Sequence, residues 1–293
     1  MTFDSFIDAA WRDHGDDARA VAKRLGDGIA MLGDESQMVK LAAIAHHVYG
    51  EHLGEWRAGI AFVEYLAKLP MYDVRGESGH ALRRFASSLA LSENEGSEFG
   101  ELIDSLTPSD RIRVSAMAAS NLSQRDTPRA TRLLEQALDD ARRAKLDSTD
   151  PMNRALAVAG NNVACTLEEK TERSSAERDL MILAAQAARH YWQLAGTWVE
   201  TERAEYRLAM SWIKAGEPDR AREHAQWCID IVAANDGDAT ERFFGWEALA
   251  QVERAAGDPE GFSQALTHAR EAFAALPESD KAWCAESLDK LQA

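Results

Sequence analysis

Apolar residues recur three and four positions apart along most of this chain. The stretch 128–145 is the clearest case. There Ala130, Leu133, Leu134, Ala137, Leu138 and Ala141 share one face, while Arg129, Arg132, Glu135, Asp139 and Arg142 lie elsewhere. That spacing fits the 3.6-residue period of a helix burying a single stripe. The same pattern predicts helices near 3–12, 16–32, 36–52, 55–69, 78–92, 98–106, 108–123, 128–145, 151–168, 175–195, 198–215, 218–234, 239–256, 259–275 and 279–291. No segment reads as the alternating pattern of a strand, so the expected fold class is all-α.

The prolines agree. Pro108, Pro128, Pro151, Pro218 and Pro259 follow Thr, Thr, Asp, Glu and Asp, where a capping side chain precedes a residue that needs no N–H in the first helical turn. Pro70 and Pro277 follow apolar runs ending in Leu and read as stops.

Internal repetition adds a second level. Ala215-Gly216-Glu217-Pro218-Asp219-Arg220-Ala221 returns 41 residues later as Ala256-Gly257-Asp258-Pro259-Glu260-Gly261-Phe262, with a fainter copy at Arg125–Ala130. Each copy joins one helix end to a capped helix start, as paired antiparallel helices require. The best unit has Leu208, Ala209, Trp212 and Gly216, then Ala221, Ala225 and Cys228. The next has Trp246, Leu249, Ala250, Gly257, Phe262, Leu266 and Ala269, and an earlier one Met117, Ala118, Ala130, Leu134 and Ala137.

These residues resemble tetratricopeptide repeats, in which small side chains let neighbouring helices approach and large ones fill the gaps. The match departs at Asn121 and Glu253, which hold the usual aromatic position, and at Ala225, which replaces a large residue. The small anchors Ala118, Gly160, Ala209 and Ala250 are 42, 49 and 41 apart. Standard repeats run to about 34, so the likeness is to the long, kinesin-light-chain-like variety. The resemblance implies a right-handed superhelix, an α-solenoid of antiparallel helix pairs, over residues 1–293. Degenerate repeats would occupy 1–92, an irregular junction 93–107 and clearer repeats 108–293.

In that family the first helices of successive pairs line a concave groove. Counting from the anchors, the inward positions are His46, Tyr49, Arg154, Asn161, Arg203, Tyr206, Arg207, Lys214, Gln251 and Arg254. Five of these ten are cationic in an acidic protein, which suits an acidic peptide or a C-terminal carboxylate. Asn161 matches a position of the family's carboxylate clamp, but Ala157 stands where the companion lysine belongs. The plainer alternative pairs Arg203 and Arg207 with Glu200, Glu202 or Glu205 on a solvated face.

Charge narrows the partners. The formal charge is −16 and the pI about 5.0, which argues against a phosphate-backbone binder and against an anionic membrane surface. Ala18–Gly26 has the look of half a helix-turn-helix, yet Asp27, Asp34 and Glu35 follow it where basic side chains would be needed. No basic-then-apolar leader and no transmembrane stretch is evident, and Cys165, Cys228 and Cys284 are odd in number and far apart. A reducing cytoplasm is the expectation. The cysteines, with Trp11, Trp56, Trp192, Trp212, Trp227 and Trp246, read as packing residues.

Catalytic signatures such as a Walker loop, Gly-x-Gly-x-x-Gly, His-Glu-x-x-His or a nucleophile elbow are absent from the sequence. His46, His47, Glu51 and His52 form the densest titratable cluster. On a helix His47 and Glu51 are one turn apart, but His46 projects about 100° away from His47, so no metal or cofactor is assigned. The expectation is a non-enzymatic scaffold or adaptor holding a protein or peptide. A ligand-sensing regulator and an enzyme with a helical active site are the alternatives. Trp283, Cys284 and Leu288 on the last helix either cap the stack or pair with a second copy in a homodimer.

Overall fold

The computed structural model describes residues 1–94 and 105–292, and every regular element among them is helical. The helix expected at 98–106 falls mainly outside the described residues. The chain divides into two compact units between Leu146 and Asp147, past the stretch 93–107 that the sequence marks as a junction.

The first unit holds α1 (Phe3–Asp13), α2 (Ala18–Ile29), α3 (Glu35–His47), α4 (Trp56–Leu66), α5 (Glu77–Glu93), α6 (Pro108–Leu122) and α7 (Thr127–Ala144). Helix α3 packs against α1, α2, α4 and α5, and α6 against α5 and α7. Phe3, Phe6 and Ile7 from α1, Val21 and Leu25 from α2, Met38, Leu41 and Ile44 from α3, and Val63 and Leu66 from α4 share one core. The expected helix 36–52 does not run straight. After His47 the chain widens into a π-helical turn, Val48–Leu53, closed by Gly54 in the left-handed region at φ 63°.

The second unit holds α8 (Pro151–Glu168), α9 (Ser175–Ala195), α10 (Trp198–Ala215), α11 (Pro218–Ala234), α12 (Ala239–Ala256), α13 (Pro259–Ala274) and α14 (Glu278–Gln292). Each helix packs on the next, and α8, α10, α12 and α14 also pack in series. The short turns between long neighbours send the chain back on itself. The anchors explain the fit: Ala209 and Ala250 are fully buried. A side chain on Gly160 would place its Cβ 2.5 Å from the Ala184 carbonyl oxygen and 2.9 Å from the Ala188 nitrogen of α9.

Capping sets the helix starts. Thr107, Asp150 and Asp258 accept bonds from backbone N–H groups of the first turns that begin with Pro108, Pro151 and Pro259. At Pro128 the cap is Asp126, one residue earlier than expected, and Glu217 gives Pro218 no side-chain cap. Ser174 with Glu177 and Thr197 with Glu200 form reciprocal capping boxes. Among the described residues no helix is long and apolar enough to cross a membrane.

Candidate functional site

Helices α8, α10, α12 and α14 of the second unit enclose a cleft of about 500 Å³. Tyr206, Met210 and Lys214 reach it from α10 at four-residue spacing, with Arg207 beside Tyr206. Glu247, Gln251 and Arg254 reach it from α12, again one and two turns apart. Residues at such spacings share one helix face. The end of α8 adds Cys165, Glu168 and Glu169, and α14 adds Ser287, Lys290 and Leu291.

Two buried carboxylates organise the walls. Tyr206 donates its hydroxyl to Glu247 Oε2 at 3.0 Å, and the Gln251 amide donates to Glu247 Oε1. Burial pushes the Glu247 carboxyl up to about 7, although both hydrogen bonds favour its charged form. The same burial, then the Glu247 charge, holds the Tyr206 phenol well above its ordinary value. Glu168 accepts from Arg207 Nη1 and, at 2.5 Å, from the Ser211 hydroxyl. Its carboxyl is raised by burial, against the opposing pull of Arg207 and Ser211. Arg207 Nε is buried and has no acceptor among the described residues.

The cations behave differently from one another. Arg254 donates to the carbonyl oxygens of Lys290, at 2.9 Å, and Leu291, and lies over the Phe262 ring. It therefore ties α12 to the end of α14. Lys214 is exposed and makes no hydrogen bond or ion pair among the described residues. Lys290 pairs with Glu286 at 2.8 Å on the exposed side of α14.

Five of the ten residues expected to face a groove thus line this one cleft: Tyr206, Arg207, Lys214, Gln251 and Arg254. The others do not. Arg203 is exposed and pairs with Glu241 at 2.5 Å. Arg154 is exposed and stacks its guanidinium over Trp192, while Asn161 is half-buried. His46 is a correction: it is buried, its Nε2 lies 2.8 Å from the Ser88 hydroxyl, and its ring stacks on Phe85 of α5. That packing removes it from any binding surface. Tyr49 packs within the first unit's core and reaches the Ala22 carbonyl.

The acids expected to neutralise Arg203 and Arg207 do not pair with them among the described residues. Glu205 is fully buried between Arg189, at 2.5 Å, and His224, at 2.7 Å. Glu202 is fully buried, and neither of its carboxylate oxygens has a donor among the described residues. Desolvation first, and the facing Glu241 second, raise its pKa. Arg207 pairs instead with Glu168, from the preceding helix of the series.

No family model and no curated protein matches this chain. Its own geometry therefore carries the functional reading.

Sequence reasoning missed Glu168 and Glu247, the two acids around which the cleft is arranged, since neither sits at an anchor-derived position. Their only sequence signal is placement one helix turn or less from apolar core residues. The cysteines divide: Cys228 and Cys284 are buried, whereas Cys165 is half-buried and lines the cleft, its thiol raised by burial. Trp212 is buried as expected, but Trp11 and Trp227 are 40% and 45% exposed and are not core residues. On α14, Cys284 and Leu288 turn inward, and Trp283 is exposed and stacks on Phe244.

Proposed function

We propose that the second unit is a tetratricopeptide-type, right-handed stack that works as a non-enzymatic scaffold, capturing the acidic or C-terminal end of a partner peptide in its cleft. The stacking order supports the repeat reading: α8 brings Gly160 to a tight helix contact, α10 and α12 bury the small anchors Ala209 and Ala250, and the alternate helices complete each pair. The observation that carries the functional reading is the convergence on one cleft of five positions counted from two anchors, Ala209 and Ala250.

Electrostatics favours an anionic occupant. Arg207, Lys214, Arg254 and Lys290 face Glu168, Glu169 and Glu247, one of which, Glu247, titrates near neutrality. In a chain carrying −16 that is a locally cationic cleft. Lys214 and Arg207 have donor capacity that their own neighbours do not use, so a carboxylate gains charge-assisted hydrogen bonds there. Met210 and Leu291 supply the apolar contact beside it.

The test is a binding screen of the full chain against a random peptide library made with free C-terminal carboxylates and, in parallel, with amidated C-termini. Acidic free-acid peptides should bind, and Lys214→Glu should weaken them at least tenfold while circular dichroism and melting stay unchanged. If no peptide binds, or if Lys214→Glu binds the selected peptides like the parent, the reading fails.

A further inference from the structure

Three imidazoles from separated parts of the chain meet in the first unit. His14 follows the last residue of α1, His47 ends α3, and His52 sits in the π turn. One ring nitrogen from each lies within 4.8 Å of the other two. The rings stand edge to face, with centroids 4.8 to 5.0 Å apart. The closest pair is His47 Nε2 and His52 Nε2, at 3.1 Å. Two imidazole lone pairs do not face each other at that distance unless a proton or a cation lies between them. Nitrogens bound tetrahedrally to zinc at about 2.0–2.1 Å stand about 3.3 Å apart, close to the spacing of this pair.

The outer contacts favour a cation. Glu51 accepts at His47 Nδ1, 3.0 Å away, and the Trp11 carbonyl accepts at His14 Nδ1, 2.5 Å away. A metal-bound histidine ordinarily uses its second nitrogen in this way, on a carboxylate or a backbone carbonyl. Both contacts leave Nε2 as the nitrogen turned to the cluster. Trp11 also lays its ring against His14 and His47, with centroids 5.3 Å from each.

The third histidine is there because of the π turn. In an α-helix, positions five apart lie about 140° apart around the axis. The wider turn brings His52 back over His47. Its loosened backbone is held from outside: Arg125 donates to the carbonyls of Glu51, at 2.8 Å, and His52, at 2.7 Å, and the Trp56 indole donates to Gly50. Single π turns inside helices occur often at functional sites.

We propose that His14, His47 and His52 together bind one divalent transition-metal ion of the zinc class. Three neutral imidazoles make a donor set for zinc and its neighbours, and they leave a fourth tetrahedral position. His52 is exposed, so that position opens to solvent and takes water or a donor from another molecule. The site is separate from the peptide cleft and does not depend on it.

The experiment uses the full chain without a polyhistidine tag, stripped by chelator and titrated with cobalt(II) and then zinc(II). One equivalent of cobalt should give the visible d–d absorption of a tetrahedral complex, and one equivalent of zinc should bleach it. His14→Ala and His52→Ala should each abolish the absorption, and Glu51→Gln should weaken zinc binding about 10- to 100-fold. His80→Ala, at an exposed histidine elsewhere in the first unit, should leave it unchanged. A parent protein that takes up no cobalt, or His14 and His52 variants that match its spectrum while remaining folded, would overturn the assignment.

Discussion

Tyr206 and Glu247 join α10 to α12 by a 3.0 Å hydrogen bond in which the phenol donates to a buried carboxyl. Because burial raises that carboxyl to about 7, the folded state holds its proton over a range where the unfolded chain, near the ordinary value of 4.5, has lost it. The sign follows from linkage: stability is greatest below the unfolded value, falls as pH rises from there, and levels off above the folded value. Glu247→Gln keeps a polar group on Tyr206 without the titration. Urea unfolding should show the variant about as stable as the parent at pH 5 and more stable by about 1–3 kcal/mol at pH 8. An equal difference at both pH values would contradict the buried protonated state.

Glu205 is a different kind of buried acid. Arg189 and His224 both reach it, so removing Arg189 leaves a carboxylate with one of its two partners gone. Arg189→Ala should cost about 3 kcal/mol in urea unfolding at pH 7. The exposed Glu286, paired with Lys290 on the surface of α14, should tolerate Glu286→Ala with no measurable change.

Gly160 tests the close approach of α8 to α9. In an open helix position, glycine to alanine stabilises by about 1 kcal/mol. At Gly160 the added methyl would meet backbone atoms at 2.5 and 2.9 Å, which cannot swing aside as a flexible side chain would. Gly160→Ala should therefore destabilise by about 2 kcal/mol. Gly26→Ala, where nothing lies within 4 Å of the new carbon, should be neutral or stabilising. Similar melting shifts for the two would argue against tight packing at this anchor.

Helices were legible in the sequence because their ends are written locally. Proline and a capping side chain stand together at 107–108, 150–151 and 258–259, and Gly216 and Gly257 end α10 and α12 in the left-handed conformation. The cleft was half legible. Positions counted from buried anchors found Tyr206, Lys214 and Gln251, since helical period carries an anchor's orientation along its own helix. It could not show which neighbouring helices cover the other faces of that helix. His46 was placed outward by that count, whereas α5 approaches its side of α3 and encloses it between Ser88 and Phe85. His14 could not be found at all. It lies 33 residues before His47, and only the packing of α1 on α3 brings the two rings together. The actual partner of Arg207 was hidden for a related reason: same-helix acids are visible at short spacing and supply only an alternative, but Glu168 comes from the neighbouring helix of the stack.

Hydrogen–deuterium exchange of the full chain, with and without a selected acidic free-acid peptide, tests the central claim most directly. Protection should rise in the C-terminal halves of α10 and α12, over 206–214 and 247–254, and at the end of α14, with the first unit unaffected. Protection confined to other helices, or to the exposed face carrying Trp227, would contradict capture in the cleft.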